Sequence, residues 1–164
     1  MEQTTLINQE QIISTHTFCE VVFQNASGQH LLRSLIKFKE NEIVCHFEAE
    51  KTVTTPNYLT VQINENKHIH LFPSFLQYIN HSCDPNVFFD VDNMKLITLK
   101  DIYPGDEFCF FYPSTELHMD QSFFCTCGFK NCLVQIRGAA EIPKDILSKY
   151  QRSSFIQHKT STNH

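Results

Sequence analysis

Glycine is scarce in this chain and tryptophan is absent. Four of the 164 residues are glycine, namely Gly28, Gly105, Gly128 and Gly138. Since an average protein contains about 7% glycine, we expect this chain to keep glycine where the backbone geometry requires it. Gly105 is predicted to form the turn in YPGDE, and Gly128 to let the chain bend among neighbouring cysteines.

Long apolar runs are also missing. No segment of about 18 consecutive apolar residues occurs, so no membrane-spanning helix is expected. The first residues, MEQTTLINQEQ, lack the basic and apolar regions of a secretory signal peptide. We therefore expect a cytoplasmic protein, with a nuclear location or export by a non-classical route as alternatives.

The chain lacks the positive charge of a typical nucleic-acid-binding protein. Its net charge is −5 and its pI is near 5.9, which argues against direct binding of a nucleic-acid backbone. The same charge suits a basic peptide as partner. Hydrophobic residues make up 41% of the chain and charged residues 19%, as in a folded globular domain, and the length fits one domain with a substantial core.

The residue pattern predicts a mostly β fold. Short runs of β-branched and aromatic residues are bounded by Asn, Gly or Pro, and they cover residues 18–24, 42–47, 58–63, 68–72 and 107–112. Asp92 and Asn93 predict a two-residue hairpin turn because both residue types tolerate positive φ, and residues 65–66 predict a second one. A helix is predicted over 143–151, with proline in its first turn. The last dozen residues are predicted to be a frayed tail.

The seven cysteines are an odd number in a chain without a predicted signal peptide, which argues against a disulfide scaffold. Three of them crowd into CTCGFKNC, where the spacing C-x-C-x4-C offers three soft metal ligands from one loop. A structural zinc site takes four ligands, so another must come from elsewhere. Cys19, Cys45 and Cys109 lie in apolar runs, where free cysteine is commonly a small buried hydrophobe, so Cys83 is the best fourth ligand. The alternatives are three free thiols or a redox pair.

The polar segment NHSCDPN, residues 80–86, lies between the apolar runs LFPSFLQYI and VFFDV. Its DPN tripeptide is a turn signature. If Cys83 shares a metal with the C-terminal loop, the segment is fixed from both sides. Asn80 and His81 would then face something polar and buried, most simply a bound ligand. The alternative is an ordinary Asx-rich loop between two strands.

In this order, NHSCDPN, GDEFCFFY and CTCGFKNC resemble the signature of SET-domain lysine methyltransferases with a post-SET zinc loop. The resemblance covers roughly Gly28 to Gly138. It implies a SET-domain fold of small, mainly antiparallel sheets in which NHSCDPN is threaded under a loop as a pseudoknot. It divides the chain into an N-terminal extension (1–15), a SET domain (16–118), a post-SET zinc-binding loop (119–140) and a C-terminal helix and tail (141–164).

The resemblance also implies the ligands and the substrate. S-adenosylmethionine would be the methyl donor, Zn²⁺ a structural metal, and a lysine of a protein or peptide the acceptor. The implied zinc thiolates are Cys83, Cys125, Cys127 and Cys132, in agreement with the ligand count above. The residues implied to bind the methyl donor are Gly28, Gln29, His30, Tyr78, Asn80, His81, Tyr112 and Phe123.

Individual roles follow from the family pattern. Tyr112 takes the position of the active-site tyrosine, and Phe110 takes the position that sets how many methyl groups are added. Asn80 and His81 would hold the adenine and the amine of the donor, and Phe123 matches an aromatic residue that packs on the adenine.

Three positions depart from the pattern. The usual Gly-x-Gly is GQH here, and the side chain of His30 would either crowd the donor or point away from it. A basic residue often found before the motif asparagine is replaced by Gln77. A tyrosine that often lines the lysine channel aligns with Phe47, so that Tyr58 or Tyr78 would have to replace it.

The aromatic run of GDEFCFFY suits a channel for an amine. The amine must be neutral to accept a methyl group, and with a lysine pKa of about 10.4 its deprotonation near pH 7 costs roughly 4 to 5 kcal/mol. An apolar channel and the sulfonium charge both lower that pKa, so no side-chain base is strictly required if water removes the proton. Strand alternation predicts Phe108, Phe110 and Tyr112 on one face and Phe111 on the other.

Three functions are compatible with these features. The first is a lysine methyltransferase that makes di- or trimethyl-lysine, because Phe110 cannot anchor a water molecule as a tyrosine would. The second is a zinc-stabilised SET-like binding module with little or no turnover. The third is a methyltransferase for a small amine or a free peptide.

Overall fold

A computed structural model of the chain describes residues 9–161. Short strands dominate it. The strands are β1 (Glu10–Thr15), β2 (Cys19–Gln24), β3 (Gln29–Ser34), β4 (Ile43–His46), β5 (Glu48–Val53), β6 (Thr60–Asn64), β7 (Lys67–Phe72), β8 (Asn80–His81), β9 (Val87–Asp90), β10 (Lys95–Thr98), β11 (Cys109–Phe110), β12 (Phe123–Phe124) and β13 (Gln135–Ile136). The helices are α1 (Lys144–Leu147) and α2 (Ser154–Ser161), and single 3-10 turns cover Ser74–Tyr78, Tyr112–Ser114 and Ala139–Glu141.

The strands form small sheets, most of them antiparallel. Three sheets have three strands each, in the orders β1-β2-β3, β4-β10-β9 and β5-β7-β6. The pair β12-β13 is antiparallel, whereas β8 and β11 pair in parallel. The predicted fold class, mostly β with small and mainly antiparallel sheets, is confirmed.

One apolar core joins the three larger sheets. Its fully buried side chains include Leu32 of β3, Ile69 of β7, Phe89 of β9 and Leu96 of β10. Each such side chain contributes about 1.5 to 3 kcal/mol by leaving water. Phe108 adds a further buried ring to this core, which places the start of the aromatic run at the centre of the molecule.

A second, smaller core attaches the C-terminal segment. It contains Phe111, Leu117, Ala139, Leu147 and Ile156. Phe111 therefore packs on the opposite side of the chain from Phe108, Phe110 and Tyr112, which all pack in or against the main core. The predicted alternation of this aromatic run is confirmed, although regular strand pairing is confined to β11.

The C-terminal prediction was wrong in two respects. The helix predicted over 143–151 is only the single turn α1. The predicted frayed tail contains α2, because Ile156 is fully buried and the backbone N–H and hydroxyl of Ser154 both bond the carboxylate of Asp92. Tertiary packing thus orders a segment whose local sequence has little helical pattern.

One hairpin was predicted correctly and one was not. β6 and β7 are joined by residues 65–66, as expected. Between β9 and β10, however, Asp90 pairs with Lys95, so the loop has four residues, and Met94 adopts the positive φ. The carboxylate of Asp90 accepts bonds from both nitrogens of Asn93 and holds this wider turn.

At the termini, β1 lies inside the predicted N-terminal extension and pairs with β2. Residues 1–8 of the predicted extension and residues 162–164 of the predicted tail lie outside the described residues. Neither α-helix within residues 9–161 has the length and apolar character needed to cross a bilayer.

Gly138 is required by a close backbone contact. A Cβ atom at this position would lie 2.2 Å from the carbonyl oxygen of Leu117 and 2.5 Å from the Cα of His118. The contact allows the backbone N–H of Ala139 to bond the carbonyl of Glu116 at 2.9 Å and that of Ala140 to bond Leu117 at 3.1 Å. These bonds attach the C-terminal segment to the main domain.

We predict that Gly138→Ala destabilises the protein by about 1 to 3 kcal/mol or more, because the added methyl group meets backbone that cannot rotate away. Chemical denaturation monitored by circular dichroism measures the effect. Ala140→Ser, at an exposed position of the same turn, should change the free energy of unfolding by less than about 0.5 kcal/mol. Equal stability of Gly138→Ala and the parent would show that the two segments are not in this contact.

Candidate functional site

The centre of the site is the parallel pair of β8 and β11. Asn80 lies opposite Cys109, and His81 lies opposite Phe110. The side chain of Asn86 extends this pairing, since its Oδ1 accepts the backbone N–H of Cys109 at 2.9 Å and its Nδ2 donates to the carbonyl of Glu107 at 2.8 Å. The polar segment 80–86 is thus held against GDEFCFFY by main-chain and side-chain bonds, which is the contact that the predicted threaded arrangement requires.

Asn80 ties three segments of the chain together. Its Nδ2 donates to the carbonyl of His30 at 2.8 Å and to Oε1 of Glu107 at 3.3 Å. Burial raises the pKa of Glu107, and the bond from Asn80 opposes that rise. The amide of Asn80 therefore fixes the start of β3 against the site.

His30 and Tyr78 lie beside this junction. The ring of His30 is 5.0 Å from the ring of Phe23 and 5.0 Å from that of Tyr78. The side chain that replaces the family's second glycine is therefore packed between two aromatic rings. Gly28 ends the preceding turn with a φ of 69°, and Gln29 lines the cavity described below.

His81 connects the aromatic residues to the cysteines. Its Nδ1 accepts the backbone N–H of Tyr112 at 3.1 Å, and its Nε2 lies 3.4 Å from the sulfur of Cys83. Its ring is 5.2 Å from that of Tyr112 and 5.7 Å from that of Phe123. Burial lowers the pKa of His81 to about 4, so the ring is neutral at pH 7. Because Nδ1 is the acceptor, the proton lies on Nε2 and faces the sulfur.

A cavity of about 580 Å³ opens in front of these residues. Its walls include Phe110, Tyr112 and Phe123. The rings of Phe110 and Tyr112 are 4.7 Å apart. The structure therefore brings Gln29 and Phe123, which are far apart in sequence, to the cavity that contains both predicted catalytic residues.

The structure also locates the residues at which the sequence departs from the family pattern. Gln77 lines the cavity, and so does Tyr58, which is 86% exposed. Phe47 is buried in the core with its ring 5.5 Å from that of Phe89. Of the two tyrosines considered as replacements for the channel tyrosine, Tyr58 is the one at the cavity, whereas Tyr78 packs on His30.

Sequence reasoning missed Glu116, a buried carboxylate in the cavity wall. Its Oε2 accepts the backbone N–H of Gln62 at 3.0 Å and the hydroxyl of Thr115 at 2.6 Å. Burial raises the pKa of Glu116 to about 7, and both bonds oppose the rise. One signal was available in the sequence, since Glu116 is the single charged residue in FCFFYPSTEL.

Tyr112 is protonated at neutral pH. Burial, with smaller contributions from the charges of Glu116 and Glu107, raises the pKa of its hydroxyl to about 12. The phenol can therefore donate or accept a hydrogen bond but does not serve as an anionic base.

The predicted metal ligands meet in space. The four sulfurs of Cys83, Cys125, Cys127 and Cys132 all lie within 4.8 Å of one another. Zn–S bonds of about 2.3 Å in a tetrahedron put the sulfurs about 3.8 Å apart, and the sulfurs of Cys83 and Cys132 are 3.8 Å apart. This donor set fits a structural Zn²⁺ ion.

Backbone N–H groups face three of these sulfurs. Leu133 donates to Cys83 at 3.5 Å, Val134 donates to Cys132 at 3.4 Å, and Cys127 donates to Cys125 at 3.4 Å. Such bonds stabilise thiolates and orient them toward a shared ion. Gly128 has a φ of 74°, so the chain bends within the cysteine loop as predicted.

Tyr150 of the C-terminal segment contacts the backbone of the cysteine cluster. Its hydroxyl donates to the carbonyl of Cys83 at 2.7 Å, and its ring stacks on Phe111 with the centroids 3.7 Å apart. Nothing in the local sequence around Tyr150 indicates this contact, because it joins residues 67 positions apart.

Known proteins are similar to this chain over much of its length. Residues 10–113 match the SET domain family model. Over 120 residues the chain is 36% identical to "Methyltransferase flvH" of Aspergillus flavus, an alignment that covers 72% of this chain and 67% of that protein.

Two solved structures show the same fold. One is KRYPTONITE in complex with mCHH DNA, an H3(1-15) peptide and SAH, with a TM-score of 0.56 and 23% identity over 74% of this chain. The other is KRYPTONITE with mCHG DNA and SAH, with a TM-score of 0.51 and 23% identity over 65% of this chain. The aligned region is 30% of the first of those chains and 26% of the second. The match over residues 10–113 and the curated relative show that this chain belongs to the SET domain family.

Proposed function

We propose that the chain is an S-adenosylmethionine-dependent N-methyltransferase that acts on a lysine side chain of a protein or peptide. Membership of the SET domain family and the curated methyltransferase relative support methyltransferase activity. The observation that carries the proposal is the cavity walled by Phe110, Tyr112 and Phe123. The charged residues among those that line it are Glu116 and Asp120, so aromatic faces and carboxylates suit a cationic amine and a cationic donor.

The residues around the cavity fit the donor. SAH is present in both KRYPTONITE complexes. In this chain Gln29 and Phe123 line the cavity, and His81 presents a neutral ring beside Tyr112 and Phe123. Bound S-adenosylmethionine would supply an electrophilic methyl group. Phe123 offers a ring face for a nucleobase.

Tyr112 and the aromatic walls prepare the amine. Apolar walls exclude water and lower the pKa of a bound ammonium group, which favours the neutral, nucleophilic amine. The neutral hydroxyl of Tyr112 can hold a polarised methyl group by weak C–H···O contacts. Positioning of amine and methyl group in line then supplies much of the rate.

Zinc is proposed to fasten the C-terminal loop to the site. Large apolar side chains in the middle of this loop face solvent, since Phe124 is 73% exposed and Val134 is 62% exposed, whereas Ile136 at the end of the loop is fully buried. Cys83 comes from the central segment, two residues after His81. A metal shared by Cys83 and the loop cysteines would therefore hold Phe123 against the cavity.

Phe110 is proposed to permit two or three methylations. Its ring lines the cavity beside Tyr112 and offers no hydroxyl to anchor a water molecule. Such a water would occupy the space that a second or third methyl group needs. Without it, the product is expected to be di- or trimethyl-lysine.

A second candidate function is methylation of a small amine instead of a lysine side chain. The buried carboxylate of Glu116 favours it, because an acidic wall can bind a small cation without further contacts from a protein substrate. Incubation of the protein with the donor and with both lysine peptides and small amines, followed by mass spectrometry, distinguishes the two. Methylated lysine peptides support the first function, and methylated small amines alone support the second. Absence of both products, together with no donor binding by calorimetry, would leave a zinc-stabilised binding module.

We predict that the purified protein contains a single zinc ion and that Cys127→Ser loses most of it, because three thiolates hold zinc more weakly than four. Elemental analysis measures the metal. Cys45→Ser, in β4 and outside the cysteine cluster, is the matched control and should keep its zinc. A metal-free parent protein, or equal zinc in both variants, contradicts the proposed site.

We predict that Tyr112→Phe keeps the fold and lowers turnover by about tenfold or more, which corresponds to about 1.4 kcal/mol of lost transition-state stabilisation. The change removes one hydroxyl and keeps the ring in the cavity. Tyr103→Phe, which alters an exposed tyrosine beside Lys37, controls for general effects of the substitution. Turnover of Tyr112→Phe within a factor of two of the parent would show that the hydroxyl does not act in the reaction.

We predict that Phe110→Tyr stops at an earlier methylation state than the parent. The added hydroxyl can hold a water molecule where further methyl groups would lie. Time-resolved mass spectra with excess enzyme and donor report the product distribution, and Phe124→Tyr, at an exposed position, is the control. A parent that stops at monomethyl-lysine under these conditions rules out the role given to Phe110.

A further inference from the structure

We propose that Glu116 is a further catalytic residue of this site, the group that accepts the proton of the substrate ammonium before methyl transfer. The inference rests on the function proposed above, because it requires an amine as the methyl acceptor. Its starting point is the position of a buried carboxylate in the same cavity as Tyr112 and Phe110.

The two oxygens of Glu116 have different surroundings. Oε2 accepts both hydrogen bonds, one from the backbone of Gln62 and one from the hydroxyl of Thr115. Oε1 accepts no hydrogen bond from the part of the chain that the structure describes. One oxygen is therefore fixed by the protein, and the other is left for a ligand in the cavity.

The backbone fixes the carboxylate relative to Tyr112. The N–H of Glu116 donates to the carbonyl of Tyr112 at 3.1 Å, and Oε1 of Gln62 accepts the N–H of Leu117 at 2.9 Å. Gln62 thus holds both Glu116 and its neighbour. The charge of Glu116 also contributes to the raised pKa of the Tyr112 hydroxyl, which is consistent with a short separation between the two groups.

No cation of the described chain compensates this charge. The titratable residues that line the cavity are Glu116, Asp120, Tyr58 and Tyr112, and none of the lining residues is Lys, Arg or His. On the adjoining strand β7, His68 lies opposite Gln62. Burial lowers the pKa of His68. A buried carboxylate without a cation is costly, and a cationic substrate removes that cost.

The protonation behaviour of Glu116 agrees with this role. Burial raises its pKa to about 7, and a general base is most effective when its pKa lies near the working pH. A solvent-exposed glutamate, with a pKa near 4.3, would be a much weaker base. The carboxylate form must be present before the substrate can lose its proton, so this step becomes available as the pH rises through about 7.

The proposed step consists of a proton transfer followed by a methyl transfer. An N–H bond of the ammonium breaks and an O–H bond forms on Oε1 of Glu116, so that the amine nitrogen gains a free electron pair. That pair forms the new N–C bond while the C–S bond of the donor breaks, and the electrons of the C–S bond remain on sulfur. Glu116 then returns its proton to solvent, and the methylated ammonium can lose a proton in the same way before the next transfer.

The test is the pH dependence of kcat/KM in the parent and in Glu116→Gln. The amide oxygen of glutamine can still accept the bonds from Gln62 and Thr115, so the fold is kept while the base is lost. We expect the parent to level off above about pH 7. The variant should be at least about tenfold slower near pH 7. The kcat/KM of the variant should keep rising toward about pH 10, where the lysine amine loses its own proton. The difference in kcat/KM between the parent and the variant should therefore shrink as the pH rises.

Controls separate the possible failures. Glu141→Gln removes an exposed carboxylate paired with Arg137 and should keep the parent profile. Thermal melting and donor binding by calorimetry check that Glu116→Gln is folded and binds the donor. If the parent methylates no amine, the proposed function fails. If the parent is active but the ratio of the two rates is the same at every pH, Glu116 has a structural role only and the inference is overturned. A parent whose rate itself keeps rising between pH 7 and pH 10 overturns it without any variant.

Discussion

The parallel contact between β8 and β11 is the constraint on which the rest of this structure depends. Each strand is only two residues long, and backbone bonds from Ser82 to Phe110 and from Asn86 to Cys109 extend the contact. The side chain of Asn86 adds two more bonds by using both polar atoms of its amide group on the partner segment. Main-chain and side-chain bonds together therefore hold the two segments where they cross next to the apolar core.

The crossing places three kinds of chemistry within a few residues of one another. Asn80 bonds the backbone at the start of β3, His81 contacts Tyr112 and Phe123, and Cys83 joins the cysteine cluster. The Nε2 atom of His81 lies 3.4 Å from the sulfur of Cys83, so the imidazole beside the aromatic cavity also contacts the cysteine cluster. A change in this cluster would therefore reach the cavity through one imidazole ring as well as through the loop that carries Phe123.

The sequence was informative wherever a short segment carries its own chemistry. The spacing of the loop cysteines, the polar character of NHSCDPN and the alternation of Phe110, Phe111 and Tyr112 predicted a cysteine cluster and an aromatic wall that the structure contains. It was uninformative where the contact is long-range. The helix α2 depends on burial of Ile156, and the four-residue loop before β10 depends on the carboxylate of Asp90. Neither feature has a local pattern that distinguishes it from a frayed tail or a tight turn.

Glu116 shows why a mechanism inferred from motifs alone can be incomplete. From the sequence, no side-chain base was required, provided that water removes the lysine proton. The fold buries one carboxylate beside the aromatic wall, and this carboxylate is the proton acceptor proposed above. Burial disfavours both charged forms, so it lowers the pKa of the ammonium and raises the pKa of the carboxylate. Both shifts favour transfer of the proton from nitrogen to oxygen. The Coulomb attraction between ammonium and carboxylate opposes the proton transfer, by about 4 kcal/mol for a separation of 4 Å at an effective dielectric constant near 20. A bound donor would bring a sulfonium charge close to the ammonium, and the repulsion between the two positive charges would favour loss of the proton from the nitrogen.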